Sequence, residues 1–151
     1  MAAICWLSGR WPVVSSLIDA RSKAAAPVAA DVIARLVGIV GKDAVLEGES
    51  DTAAYCESWR DDIQGRTKLV LKPRTVEEVQ AIVKVCAEAR VPIVPQGGRT
   101  GLTGATQPHE DASEVVGSTE RMNRILGVDL LNDTMTVEAG VVLAEIQSRA
   151  S

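Results

Sequence analysis

The sequence is poor in aromatic residues: Phe, Trp and Tyr make up 3% of it, with no Phe and a single Tyr. Proteins that bind single-stranded nucleic acid stack the bases on aromatic rings, so this scarcity argues against such a function. The net charge of −4 and an isoelectric point near 5.0 argue against a polyanion held on a basic face. We therefore expect no nucleic-acid partner, and an anionic ligand would have to be bound locally.

Histidine and cysteine are also scarce. The chain has one histidine, His109, and three cysteines that lie far apart without C-x-x-C spacing, namely Cys5, Cys56 and Cys86. These residues do not form a zinc-binding set, so we expect no metal site. A sparse, odd number of cysteines is typical of a reducing compartment.

No apolar run is long enough to span a membrane, because the longest one, at 27–40, is interrupted by Asp31 and Arg35. Residues 1–26 are rich in Ala and Ser, and their apolar and basic residues show little helical segregation. We predict a disordered leader at 1–26 and a cytoplasmic protein. The alternative is a mitochondrial presequence, which would direct the protein to the matrix.

Glycine is concentrated in one place, since four of the 12 glycines follow a short apolar run between Pro92 and Gly104. Glycine can adopt positive φ and lets the backbone approach a ligand, and successive backbone N–H groups can then bind an anion. Arg99 adds a positive charge, and Thr100 and Thr103 add hydroxyls, so we expect a phosphate or pyrophosphate here. A flexible surface turn is the alternative.

The glycine spacing excludes the two commonest phosphate loops. A P-loop requires a Gly-Lys-Ser/Thr sequence, but no lysine follows Lys84. The Rossmann fingerprint requires Gly-x-Gly-x-x-Gly leading into a helix, whereas here a glycine pair is followed by glycines at intervals of three and by no helical pattern.

Periodicity and turn residues predict mixed helices and strands. In chain order the predicted elements are a helix at 27–40, an extended connector at 45–65 pinned by Tyr55 and Trp59, a strand at 69–71, a helix from Thr75, and strands at 93–95, 115–116, 125–129 and 134–139, followed by a helix from Leu143. The strand, helix and strand between 69 and 95 have the length of a right-handed βαβ unit. The glycine-rich loop would then leave the carboxyl end of a parallel strand, where α/β sheets bind ligands.

The helix from Thr75 has the clearest sequence signals. Thr75 and Glu78 form a predicted capping box. Apolar residues then recur at helical spacing, and the predicted buried stripe is Val76, Val79, Ile82, Val83 and Cys86. On that stripe Cys86 is predicted to be a core residue and not a nucleophile.

Four blocks in order resemble the FAD-binding domain of flavoproteins of the vanillyl-alcohol-oxidase or p-cresol methylhydroxylase type. The resemblance is greatest to the D-lactate and D-2-hydroxyglutarate dehydrogenase branch, and it extends from Val45 to Ser151. The blocks are Leu69-Val70-Leu71-Lys72-Pro73 with Thr75-Val76-Glu77-Glu78-Val79, Pro95-Gln96-Gly97-Gly98-Arg99-Thr100-Gly101-Leu102, Glu120-Arg121-Met122-Asn123-Arg124-Ile125, and Thr134-Met135-Thr136-Val137-Glu138-Ala139-Gly140-Val141.

The resemblance implies an α+β fold, in which a small subdomain containing the βαβ unit is followed by the start of a second, mixed-sheet subdomain. The FAD-binding domain would occupy 27–151 and be incomplete at its C-terminus. The implied cofactor-binding residues are Pro95, Gln96, Gly97, Gly98, Arg99, Thr100, Gly101, Leu102, Gly104 and Gly140. Covalent members hold the flavin through a histidine at the position of Arg99, so the resemblance implies non-covalent FAD. Gly117 departs from the family's apolar strand and should weaken it.

The resemblance also implies a function. The parent enzyme would be an FAD-dependent oxidoreductase that oxidises a D-2-hydroxy acid, such as D-lactate, D-2-hydroxyglutarate or glycolate, to the 2-oxo acid and passes electrons through FAD to a carrier. The substrate-binding residues of such an enzyme would lie outside this sequence, so we assign no catalytic residue, and His109 is predicted to be a surface residue. The alternatives are an inactive, truncated FAD- or nucleotide-binding module and a nucleotide-binding α/β domain unrelated to flavin.

Overall fold

The structure, a computed structural model, describes residues 28–57 and 65–150. Its elements are α1 (Ala30–Val40), a 3-10 turn (Lys42–Ala44), β1 (Val45–Glu47), α2 (Glu49–Cys56), β2 (Leu69–Leu71), α3 (Val76–Ala89), β3 (Ile93–Gln96), β4 (Val115–Ser118), β5 (Ile125–Asp129), β6 (Thr134–Val137) and α4 (Leu143–Ala150). The predicted leader at 1–26, Cys5 and Trp59 lie outside the described residues, and the domain limits remain a prediction. No helix among the described residues is long and apolar enough to cross a membrane.

The main sheet has four strands in the order β1-β2-β4-β3. Strands β2 and β3 each pair in parallel with β4, while β1 is antiparallel to β2. The strand, helix and strand predicted between 69 and 95 are therefore present, but β4 lies between the two strands. Gly117 does not prevent β4 from forming, because it is paired with Leu71 on one side and Pro95 on the other.

The two faces of this sheet carry separate cores, because successive strand residues point to opposite sides. One face packs against α1 and α3 and includes Leu69, Leu71 and Val115, which are fully buried. The other face joins Val70, Val94 and Val116 to Tyr55 of α2. Each large aliphatic side chain buried in this way contributes roughly 1.5–3 kcal/mol.

Helix α3 begins at the predicted cap, where the Thr75 hydroxyl accepts the N–H of Glu78 at 3.2 Å. In a complete capping box the Glu78 carboxylate would accept the backbone N–H of Thr75. Here it accepts the N–H of Arg74 instead, at 2.6 Å, so only half of the predicted box forms. The predicted apolar stripe is wrong at two positions, since Val76 and Val83 are 67% and 50% exposed.

The buried stripe of α3 is centred on Ile82, Val85 and Cys86. These residues follow the three- and four-residue spacing of the helix face that the sheet and α1 cover. Cys86 is 1% exposed within this core, as predicted, and burial raises the pKa of its thiol.

The extended connector predicted at 45–65 is wrong, because this region contains β1 and α2. Helix α2 has no continuous apolar stripe, and only Thr52, Tyr55 and Cys56 are buried in it. The Thr52 hydroxyl lies within hydrogen-bond distance of the carbonyls of Gly48, at 2.9 Å, and Thr67, at 3.2 Å. Tertiary contacts of this kind, and not periodicity, hold the helix on the sheet.

Strands β5 and β6 form a separate antiparallel hairpin with an irregularity between Ile125 and Gly127. In β6, Met135 and Val137 are half-buried while Thr134 and Thr136 are exposed, in agreement with the predicted alternation. The combination of this hairpin with the mixed sheet confirms the predicted α+β class.

Candidate cofactor site at the carboxyl edge of the sheet

The carboxyl ends of β2, β3 and β4 meet at one edge of the sheet because the three strands are parallel. Residues 97–104, which we call the glycine loop, leave β3 at this edge, and residues 119–122 form a turn after β4. The N–H of Thr119 donates to the carbonyl of Gln96 at 2.9 Å, which holds the turn beside the start of the loop. The sequence prediction thus places the loop correctly.

The glycine loop presents unpaired backbone donors. Within the part of the chain that the structure describes, no N–H group from Gly97 to Thr103 donates a hydrogen bond to another residue. A Cβ built on Gly98 would meet no atom closer than the Thr100 methyl at 4.0 Å. The loop is therefore open to solvent, and its N–H groups are free to bind an anion.

Positive φ is less common in the loop than predicted. Only Gly104 among the loop glycines has a positive φ, of 75°, while Arg99, which is not a glycine, has a φ of 56°. The other three glycines, Gly97, Gly98 and Gly101, therefore leave room for a ligand because they lack side chains, and not because they have a positive φ.

Two predicted site residues mainly support the loop. The Gln96 side chain is 1% exposed, and its amide nitrogen donates to the carbonyls of Tyr55, at 2.8 Å, and Thr106, at 2.6 Å. It therefore joins α2 to the segment that follows the loop. Pro95 lies on β3, the edge strand, where its missing N–H costs no hydrogen bond in the sheet.

The guanidinium of Arg99 turns towards α2. Its Cζ lies 4.7 Å from the centre of the Tyr55 ring, and Nη1 donates to the carbonyl of Ala54. The Tyr55 hydroxyl donates to Glu120 Oε2 at 2.9 Å, and Glu120 Oε1 lies 3.2 Å from Lys72 Nζ. Sequence reasoning missed this row of four side chains, because nothing in residue spacing joins α2 to the turn after β4.

Two members of this row, Tyr55 and Glu120, have shifted pKa values. Burial, with the hydrogen bond to Glu120, raises the pKa of Tyr55 to about 12. Burial also opposes ionisation of Glu120, but the hydrogen bonds from Tyr55 and Lys72 outweigh it and hold the pKa of Glu120 below its usual value. At neutral pH a neutral Tyr55 therefore donates to an ionised Glu120.

Gly140, also a predicted site residue, packs against the same turn. Its N–H donates to the carbonyl of Met122 at 2.8 Å, and the Thr119 hydroxyl lies 3.2 Å from the carbonyl of Ala139. The structure thus places Gly140 beside the edge but uses its N–H within the protein. The remaining predicted residues, Thr100, Gly101 and Leu102, are exposed on the loop.

His109 lies at the opposite edge of the sheet. It is next to the amino ends of β2 and β4, where Nδ1 is 3.0 Å from Glu114 Oε1 and the imidazole is 69% exposed. Its carbonyl accepts the N–H of Arg66, just before β2. His109 is thus a surface residue, as predicted, and is remote from the glycine loop.

Two cavities among the described residues also lie away from the loop. One, of about 850 Å³, is bordered by β5 and α4, and the other, of about 720 Å³, lies beside α2. Neither is lined by a residue of the glycine loop. The glycine loop is itself exposed, with Thr100, Gly101 and Leu102 open to solvent, so the candidate site described here is an open edge of the sheet.

Comparison with known proteins identifies the family of the chain that carries this edge. The model of the FAD binding domain matches residues 67–151, which include the three parallel strands β2, β3 and β4 of the main sheet, the glycine loop and the hairpin. The chain belongs to this family. It is similar to mitochondrial D-2-hydroxyglutarate dehydrogenase of Arabidopsis thaliana, with 34% identity over 108 residues that cover 72% of this chain and 19% of the relative.

Two further comparisons agree with the family. The glycolate oxidase subunit GlcD of Bacillus subtilis is 32% identical over 116 residues, covering 77% of this chain and 24% of that protein. Among solved structures, p-cresol methylhydroxylase with bound substrate matches with a TM-score of 0.67 and 23% identity over 79% of this chain and 24% of that one, which shows a common fold. The chain spans about a fifth of the length of the relatives it matches.

The residues of the edge fit one part of FAD. Free N–H groups and the absence of side chains at Gly97 and Gly98 suit a pyrophosphate. Arg99 fits less directly than predicted, because its guanidinium is engaged with Tyr55 and Ala54.

Proposed function

We propose that the glycine loop binds the pyrophosphate of FAD without a covalent bond. The single observation that carries this proposal is the run of unpaired N–H groups from Gly97 to Thr103 at the carboxyl edge of parallel strands, in a chain of the FAD-binding family. Arg99 supports the non-covalent part of the proposal, since a guanidinium does not form the flavin link that histidine forms in covalent members of the type that the sequence resembles.

We also propose that the parent enzyme oxidises a D-2-hydroxy acid to a 2-oxo acid. Two relatives are named for D-2-hydroxyglutarate and glycolate, which share a carboxylate next to a hydroxyl-bearing carbon. FAD would supply the acceptor of the substrate's hydride and would pass the electrons on to a carrier. The residues of this chain would hold the cofactor, and none of them is assigned to proton transfer.

The other proposed cofactor contacts are the remaining predicted residues of the loop and Gly140. Gln96 would act by supporting the loop, because its buried side chain donates to the carbonyls of Tyr55 and Thr106. Pro95 would act as part of β3, the strand that leads into the loop. For the location of the protein, the plant relative is named mitochondrial, which favours the matrix over the cytoplasm predicted from composition. A fluorescent fusion to the full chain tests this point, and a diffuse cytoplasmic signal would contradict the matrix.

Binding can be tested on the 151-residue chain itself. An isotope-labelled chain is titrated with FAD, ADP and riboflavin while the amide resonances of the glycine loop are followed. We expect saturable shifts of the loop amides with FAD and with ADP, with dissociation constants on the order of 0.1–1 mM, because only a few charge-assisted hydrogen bonds hold the ligand. Riboflavin lacks the pyrophosphate and should leave the loop unchanged.

This experiment also separates the proposal from its alternative. Loop amides that do not respond to FAD or ADP at millimolar concentration would show that the loop is only a connector. In the parent enzyme, acid precipitation should release all of the flavin, and flavin remaining with the denatured protein would contradict non-covalent binding. A chain that binds ADP while the parent fails to oxidise any D-2-hydroxy acid would instead support the nucleotide-binding module without that activity.

A further inference from the structure

The Arg99 side chain does not lie where an arginine that binds pyrophosphate directly would be expected to lie. A cation that binds pyrophosphate directly should point over the loop towards solvent, but this guanidinium stacks on the Tyr55 ring and donates to the carbonyl of Ala54. Arg99 also has a left-handed backbone, with a φ of 56°, which a residue other than glycine adopts only when its surroundings hold it there.

The surroundings of Tyr55 explain how Arg99 is held. The ring is buried in the core between α2 and the sheet, with Val70, Val94 and Val116. Its hydroxyl is fixed by Glu120, which Lys72 in turn pairs. Gln96 also donates to the Tyr55 carbonyl, so the start of the loop and the aromatic platform are joined at two points.

We propose that Tyr55 is a positioning residue for the cofactor site, and that Arg99 acts through it by fixing the conformation of the glycine loop. This inference rests on the proposed function, because the loop must first be shown to bind an anion. It assigns to the Arg99 side chain the task of orienting the backbone N–H groups, which themselves bind the pyrophosphate. An arginine stacked on an aromatic face gains attraction from the ring while its charge stays close to the loop.

A double-mutant cycle separates this role from direct contact. Arg99→Ala and Tyr55→Leu should each weaken ADP binding about three- to thirtyfold, the range expected when one stacked cation is lost. If the two side chains act as one unit, the double variant should bind no more weakly than the weaker single variant. Tyr55→Phe keeps the ring and should bind ADP within about twofold of the parent chain. The inference would be overturned if the fold-losses of ADP affinity in the two single variants multiplied in the double variant, or if Tyr55→Leu bound ADP as tightly as the parent chain.

The single tyrosine provides a second readout that general loss of structure would not mimic. Removing the nearby cation in Arg99→Ala should move the spectroscopic titration of Tyr55 to higher pH, because the positive charge favours the tyrosinate. The loop amide resonances of the same variant should shift in the absence of ligand. If Tyr55→Leu does not fold, these two measurements on Arg99→Ala decide, and an unchanged titration with an unchanged loop overturns the inference.

The outcomes also separate this inference from the proposed function. If the parent chain binds neither FAD nor ADP, both fail together. If it binds them and the losses in the cycle multiply, only the positioning role fails, and Arg99 contacts the anion directly.

Discussion

Gly140 and Thr119 lie so close together that no side chain fits between them. A Cβ built on Gly140 would come within 1.9 Å of the Thr119 carbonyl oxygen and 3.0 Å of the Met122 carbonyl oxygen. The N–H of Gly140 also donates to Met122. This contact brings the end of the β5–β6 hairpin against the turn that follows β4, at the edge that carries the glycine loop.

Gly140→Ala should therefore destabilise the fold. The added methyl must displace the backbone of the turn, and overpacking of this kind costs about 1–3 kcal/mol of unfolding free energy. Urea unfolding followed by circular dichroism measures the effect. Gly38→Ala is the matched control, because its Cβ would meet nothing within 4 Å on an exposed position of α1 and should stabilise the helix by about 0.5–1 kcal/mol. Equal stability of the Gly140→Ala and parent chains would contradict the observed contact.

Gly98→Val should weaken ADP and FAD binding by at least about tenfold without unfolding the chain. The new side chain meets no protein atom closer than 4.0 Å at its Cβ, but it would stand where a ligand must approach the loop N–H groups. Gly127→Val, also with open space at its Cβ but on β5, should leave binding unchanged. The measurement is the amide titration, with circular dichroism as the folding control. Unaltered affinity in Gly98→Val would remove the main support for the flavin site.

Stability should fall between pH 10 and pH 12 because of Tyr55. Its pKa is about 10 in the unfolded chain and about 12 in the folded one, so over this window the unfolded state releases a proton that the folded state retains. Below pH 10 both states are protonated and Tyr55 adds no pH dependence. The unfolding free energy of the parent chain should decline more steeply over this window than that of Tyr55→Phe. Identical slopes would show that Tyr55 titrates as an exposed phenol.

The cap of α3 gives a prediction that concerns stability alone. Thr75→Ala removes the hydroxyl that accepts the Glu78 N–H, and the loss of such a cap costs about 1 kcal/mol. Glu78→Gln keeps an acceptor for the Arg74 N–H and should cost less. Thermal or urea unfolding tests both variants, and a larger loss in Glu78→Gln would show that the carboxylate, not the hydroxyl, supplies most of the capping energy.

The sequence by itself determined the elements whose signals are local. Helix α1 with Gly41 at its end, the cap at Thr75, the β5–β6 hairpin and the glycine loop were predicted from periodicity, capping chemistry and turn residues, which act over a few neighbouring positions. The order of four such blocks was enough to predict the FAD-binding family, which the family comparison confirmed.

Only the tertiary structure decided which surfaces these elements share. Helix α2 has no continuous apolar stripe and was missed, because it is held by Tyr55 and by hydroxyl contacts to residues distant in the chain. The buried face of α3 depends on what packs against it, so Val85 and not Val83 is in the core. The stacking of Arg99 on Tyr55 joins residues separated by 44 positions, and no local pattern encodes such a pair, since it forms only when the sheet brings α2 beside the loop.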